Sequence, residues 1–252
     1  MKPPICVIDL LPKFAAALSG AGADAALVDD PVAQDPDLLD LDLADVAGLS
    51  LAAHVDLLPG ALRPFRARYP QVQLHLIEGW YPTLEAGLKD GSVDFYVGPK
   101  HERPPSAELV QEHLFDNTRI VLGRKGHPLA KAHSLRDLVD AEWATTTVTF
   151  KAEEELRGVF EEHGLPAPRL ALQSQSALTM IVALSNSDLL TMVPIQWTKF
   201  TAISQSLAPI HVKEIFPAPA IVTVRRTGLP LTPAAEFLLD LLRKRAATRS
   251  ST

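Results

Sequence analysis

Two rhythms of apolar and polar positions alternate along this chain. "VQLHLIE" (72–78) puts Val72, Leu74 and Leu76 two apart, the spacing of a strand with one covered face. Just before it, Leu57, Leu58, Ala61, Leu62, Phe65 and Tyr69 recur at helical spacing and predict a helix over 56–69. Pro64 inside that helix removes a backbone hydrogen bond, so a kink or a late start is expected. "DVAGLS" (45–50) reads as a strand running into Ser50. "GWYPTLEAGLKDGSVDFYVGP" (79–99) reads as a turn, a short helix, a second turn and a buried strand. Pro82 suits the first helical turn and Asp90-Gly91 the exit. Val93, Phe95, Tyr96 and Val97 form an apolar run that stops at Gly98-Pro99. Strand, helix, strand, helix, strand at this spacing predicts a parallel sheet with right-handed crossovers.

A second α/β set follows. "RIVLG" (119–123) is a strand, "SLRDLVD" (134–140) a short helix, and "WATTTVT" (143–149) β-prone. A helix over 151–163 turns Leu156, Val159 and Phe160 inward. "RLALQ" is a strand, and a helix over 175–185 is expected to bury Leu178, Ile181, Val182 and Leu184. "DLLTMV" (188–193) is a strand stopped by Pro194, and "AIVTV" (220–224) is another. The last helix takes Thr232 as cap and Pro233 as first helical residue, with Phe237, Leu238, Leu241 and Leu242 inward.

Charge separates the first 45 residues from this regular pattern. They hold nine aspartates against two lysines. Subtracting these from 30 acidic and 24 basic residues leaves 21 acidic and 22 basic, so residues 46–252 are near neutral. Pro31 and Pro36 interrupt any useful helix, and residues 1–45 are read as a poorly specified acidic segment. A mis-started or frame-shifted gene start is a second reading of them. "GAGADA" (20–25) copies a dinucleotide fingerprint, but Pro31 leaves no room for the helix that must follow. The signal-peptide look of 1–25 is broken by Asp9, Pro12 and Lys13. No apolar run reaches the roughly 18 residues of a membrane span. A single cysteine, Cys6, excludes an intrachain disulfide and suits a reducing, cytoplasmic setting. No dense Lys/Arg cluster marks a nucleic-acid surface.

Catalysis and metal binding find little support. "GLSLA" (48–52) lacks the last glycine of a nucleophile elbow, and no HGGG-type oxyanion motif accompanies it. The eight histidines show neither HxxxH nor HExxH spacing. No enzyme activity, metal or cofactor is expected.

"LLPGALRPFRARYPQVQLHLIEG", "LKDGSVDFYVGP", "GRKGHPLA", "EEHGLPAP" and "SNSDLLTMVP" together resemble the effector-binding domain of LysR-type transcriptional regulators. "SDLLTMVP" and "GLPLTPAA" are most similar to regulators of aromatic sulfonate degradation. The resemblance covers about 46–247. It implies an α/β fold of two Rossmann-like subdomains of the type-II periplasmic-binding-protein kind. Two strands would cross between them near 121–124 and 221–225. Subdomain I would comprise 46–121 and 222–247, subdomain II 122–221. It also implies a homodimer or homotetramer, built by antiparallel pairing through an edge strand and helix of each subdomain. The helix over 56–69 is the candidate on one side. The family's N-terminal winged helix-turn-helix has no counterpart in 1–45, so DNA is expected to be reached only through a domain this chain lacks. A stand-alone or exported solute receptor of the same fold is the alternative.

The residues point to one cleft. Ligands of open parallel sheets sit outside the carboxyl ends of the strands. Those ends carry Ser50, Trp80, Gly98 and Pro99, then Thr146, Thr147 and Thr149, then Ser174, Gln175 and Pro194. They offer neutral donors for a small organic acid, a carboxylate or a sulfonate, with Lys151 the nearest cation. Ser50 matches the family's effector-contacting hydroxyl after the first strand. Against this, serine and threonine in such places commonly cap helices and form turns, and Trp80 serves packing equally well.

Overall fold

The computed structural model describes residues 44–146 and 152–248. The segment 1–43 lies outside them, as do Thr147, Thr149 and Lys151.

Strand β1 (Ala44–Leu49) leads directly into helix α1 (Leu51–Asp56). Ser50 caps that helix by accepting from the Ala53 N–H, so helix formation starts well before the expected position 56. The chain then breaks at Leu57 and restarts as α2 (Leu58–Arg68). Pro59 forces the break, because a continuous helix would need its missing N–H, whereas the first turn of a new helix does not. Pro64, the expected kink, stays inside α2. It leaves the Gly60 carbonyl without its helical donor, and the Arg245 guanidinium supplies Nε at 3.3 Å and Nη2 at 3.1 Å instead. Gly60 permits this approach, since a Cβ there would collide with that guanidinium.

Strand β2 (Gln73–Glu78), helix α3 (Tyr81–Asp90) and strand β3 (Phe95–Pro99) complete the first half. Helix α3 ends at Gly91, whose φ of 92° is the left-handed conformation glycine adopts without penalty. β1 pairs in parallel with β2 on one side and β3 on the other.

The longest strand, β4 (Leu109–Arg124), carries the chain into the second half. That half contains a 3₁₀ turn (Leu135–Leu138), β5 (Glu142–Thr146), helix α4 (Ala152–Glu162), β6 (Arg169–Ser174) and helix α5 (Ala177–Ser185). After these come β7 (Leu190–Pro194), a second 3₁₀ turn (Ile195–Lys199), helix α6 (Thr201–Ser206) and β8 (Leu207–Ile210). Strand β9 (Phe216–Arg226) returns to the first half, where helix α7 (Pro233–Thr248) ends the described chain. Thr232 accepts from the Ala235 N–H, the expected cap.

The sheet order is β2-β1-β3-β9-β4-β7-β5-β6, with β8 beside β4. β9 runs antiparallel to both β3 and β4. β4 pairs with β9 as far as Arg119 and takes β7 and β8 as partners over 119–124. Two register irregularities, at His113/Phe115 and Phe115/Asn117, precede the exchange, and bulges of this kind let a strand bend from one half to the other.

The first half buries Leu57, Ala61 and Phe65 against Leu238, Leu239 and Leu242 of α7. The second half has one core around Trp143 and Phe160 and another around Met180 and Leu184. Helix α5 turns inward only part of the face its sequence suggests: Leu184 is buried and Ile181 packs on the same core, but Leu178 and Val182 face out. Ala177, Met180 and Leu184 are buried, whereas Leu178 is 70% and Val182 54% exposed.

Candidate functional site

The carboxyl ends of β1, β2, β3 and β7 meet at one place, together with the chain just after β6. The Ser50 N–H donates to the Val97 carbonyl at 2.9 Å, tying the end of β1 to β3. The Gly79 N–H donates to the Leu49 carbonyl at 3.2 Å and ties in β2. Gly98 must be glycine here. A Cβ would fall onto the Tyr96 hydroxyl and lie 2.9 Å from the Ser50 Cβ. Tyr96 is wholly buried, which pushes its phenol above the ordinary tyrosine range and keeps it neutral.

A cavity opens above this knot, in two adjoining chambers. The inner one is lined by Ser50, Leu51 and Ala52 from the first half and Pro194 and Trp197 from the second, with Pro99 between. It has about 30 Å³ of free space, enough for a water or two. The outer chamber has about 320 Å³, within the range of small-molecule sites, and takes Thr83, Ser176 and Leu178 into its wall. Glu78, Gly79, Trp80, Gln175 and Ala177 line both chambers.

Of the expected residues, the structure brings Ser50, Trp80, Pro99, Gln175 and Pro194 together on this wall. Gly98 lies beneath it and shapes it. Ser174 stands apart from it, its hydroxyl accepting from the Ser176 N–H at 3.1 Å and facing the Ser176 carbonyl at 3.3 Å, as a turn-forming serine does. Thr146 ends β5 beside Ser174 in the register. Thr147 and Thr149 fall outside the described residues.

Ser50 is 3% exposed, and its hydroxyl accepts from the Ala53 N–H at 3.4 Å, so it retains its own proton for a guest. His54 faces the Ser50 carbonyl, not its hydroxyl, with Nδ1 at 3.1 Å. No base therefore activates Ser50 as a nucleophile among the described residues.

Glu78, Leu51 and Trp197 are wall residues that the sequence reading passes over. Glu78 is the last residue of β2, and the strand-end rule that selects Trp80 reaches it too. Trp197, 3% exposed, sits on the 3₁₀ turn after Pro194, which no periodicity announces. Leu51 packs on the Met180 core of the opposite half. Beside it, Lys199 Nζ lies 2.6 Å from Asp56 Oδ1, an ion pair joining the turn after β7 to the end of α1. Among the described residues no group of three or more His, Cys, Asp or Glu could hold a metal ion, and no helix is long and apolar enough to cross a membrane.

Paired α/β halves linked by two strands, with a cavity at their strand ends, define a ligand-binding domain of the type-II periplasmic-binding-protein kind. Residues 46–247 match the LysR substrate binding domain, and the chain belongs to that family. It is 30% identical over 217 residues to the HTH-type transcriptional regulator GalR of Pseudomonas putida KT2440, covering 82% of this chain and 55% of GalR. The chain thus spans about half the length of that relative. Among solved structures, the BenM effector binding domain with benzoate superposes with a TM-score of 0.62 at 19% identity, covering 83% of this chain and 94% of that one. The effector binding domain of QuiR with shikimate gives 0.66 at 15% identity, covering 81% and 97%. At these identities the structures share the fold. The curated relatives are transcriptional regulators, not enzymes.

Proposed function

We propose that this chain is the effector-sensing part of a LysR-type bacterial transcriptional regulator, with a small organic acid as effector. The observation that carries this reading is the two-chambered cavity lined by both halves at the strand ends. Benzoate and shikimate, the guests of BenM and QuiR, are small organic acids of a size the outer chamber admits. The Ser50 hydroxyl and the Gln175 amide are neutral donors on this wall available to the acid head. The two halves act as subdomains I (46–121 and 222–247) and II (122–221). DNA contact is assigned to a part of the regulator other than 46–247. The protein works in the cytoplasm as a homodimer or homotetramer.

Calorimetry with benzoate, shikimate and benzenesulfonate tests the reading. A hydrogen bond to a charged head is worth about 1.5–3 kcal/mol, so Ser50→Ala is expected to weaken the best ligand roughly 10- to 100-fold. Binding unchanged within about twofold in Ser50→Ala and in Gln175→Ala places the site elsewhere. A loss of thermal stability with affinity intact makes Ser50 a helix cap only.

A further inference from the structure

Of the described residues that line the two chambers, one is charged, and it is acidic. Glu78 lines the inner and the outer chamber, and no lysine, arginine or histidine joins it in either wall. Its carboxylate takes part in no ion pair or hydrogen bond of the described residues, unlike Glu85, Glu112 and Glu214. Trp80 lines the same stretch of wall. A plain aryl acid placed here sets its own carboxylate and an apolar ring against an unpaired anion. That arrangement strips water from Glu78 and returns nothing to it. A guest that carries a donor on the side away from its acid head returns the lost hydrogen bond.

Resting on the effector-site reading above, we infer that Glu78 recognises a hydrogen-bond-donating group, hydroxyl or ammonium, borne by the effector apart from its acid head. The site thereby selects hydroxylated or amino-bearing organic acids over unsubstituted aryl acids. A hydroxyl donates one bond to the carboxylate. An ammonium adds charge attraction.

Calorimetry on the full 252-residue chain compares benzoate, 3,4-dihydroxybenzoate and 3-(aminomethyl)benzoate. The wild-type chain is expected to favour a donor-bearing probe over benzoate by roughly tenfold or more. In Glu78→Gln this preference should shrink to about twofold, partly because benzoate gains affinity once the unpaired charge is gone. Glu78 is exposed and without protein partners, so this variant keeps its fold, which an unchanged melting temperature checks. A drop confined to the ammonium probe identifies an amine as the donor, and one confined to the diol identifies hydroxyls. Equal affinity for benzoate and both donor probes overturns the inference, as does a preference that survives intact in Glu78→Gln. If benzoate binds, Ser50→Ala weakens it and Glu78→Gln changes nothing, the effector-site reading stands and this inference falls. Failure of all three probes to bind at millimolar concentration counts against both.

Discussion

At the scale of single residues, Asp45 is the least comfortable placement. It is 4% exposed at the start of β1, where Thr232 donates to its Oδ1 at 2.5 Å and its Oδ2 has no hydrogen-bond partner. Burial raises its carboxyl above the ordinary range. The Thr232 hydrogen bond opposes that shift, and the nearby Asp94 charge adds to it. A group whose pKa is raised on folding opposes the folded state while ionised, and the penalty fades as pH falls through the raised value. Asp45→Asn keeps an acceptor for Thr232 and discards the charge. The variant is therefore expected to melt a few degrees higher than wild type at pH 7, with the difference closing as pH drops toward the ordinary carboxylate range. A melting difference that stays constant from pH 7 to acid pH would exclude this account.

At the scale of elements, α1 and the 3₁₀ turn after β7 face each other across the cavity, and Asp56 and Lys199 join them. The Asp56 side chain is only 5% exposed and that of Lys199 52%, so the pair is screened from one side. Denaturation of Asp56→Asn, Lys199→Met and the double variant is expected to give a coupling of about 1 kcal/mol, at the upper end for exposed pairs. Effector affinity should fall in both single variants, because the pair braces the two walls. Simple additivity of the two substitutions would remove this role. The break at Leu57 follows locally from Pro59, but the pair could not be read from spacing, since it depends on what another element brings to that point. The same holds for α5. Leu178 and Val182 fit an apolar stripe as well as Ala177, Met180 and Leu184 do, and only the sheet beneath decides which turns inward. The caps and stops at Pro82, Gly91 and Thr232 were legible because their chemistry is local and acts on neighbours within a turn. The wall positions Ser50, Trp80, Pro99, Gln175 and Pro194 were legible for a related reason, since strand ends follow from the strands. Trp197 was not, because a 3₁₀ turn has no repeat to detect.

At the scale of the whole molecule, four of the exposed large apolar side chains fall at the two ends of the sheet. Leu62 and Ile77 lie on α2 and edge strand β2, and Leu178 and Val182 lie on α5 next to edge strand β6. An antiparallel pair of chains sets one end against the other twice, which a twofold axis requires. Light scattering is expected to show a dimer at micromolar concentration, and Leu178→Glu to shift it toward monomer. A strict monomer at high concentration would rule the arrangement out. The long β4 escaped the sequence reading over 109–118 because Glu112, His113, Asp116 and Asn117 obscure its alternation where it passes between the halves.

That passage has a consequence for the order in which the protein is built. The fully buried residues of the second-half cores all lie within 121–216, an unbroken stretch of chain. The first-half core needs Ala47 and Leu49 at one extreme and Leu238, Leu239 and Leu242 at the other. A ribosome thus releases a second half able to close while the first strand still waits for α7. The half that begins the domain is the last to finish, and its sheet stays open until β9 slots between β3 and β4.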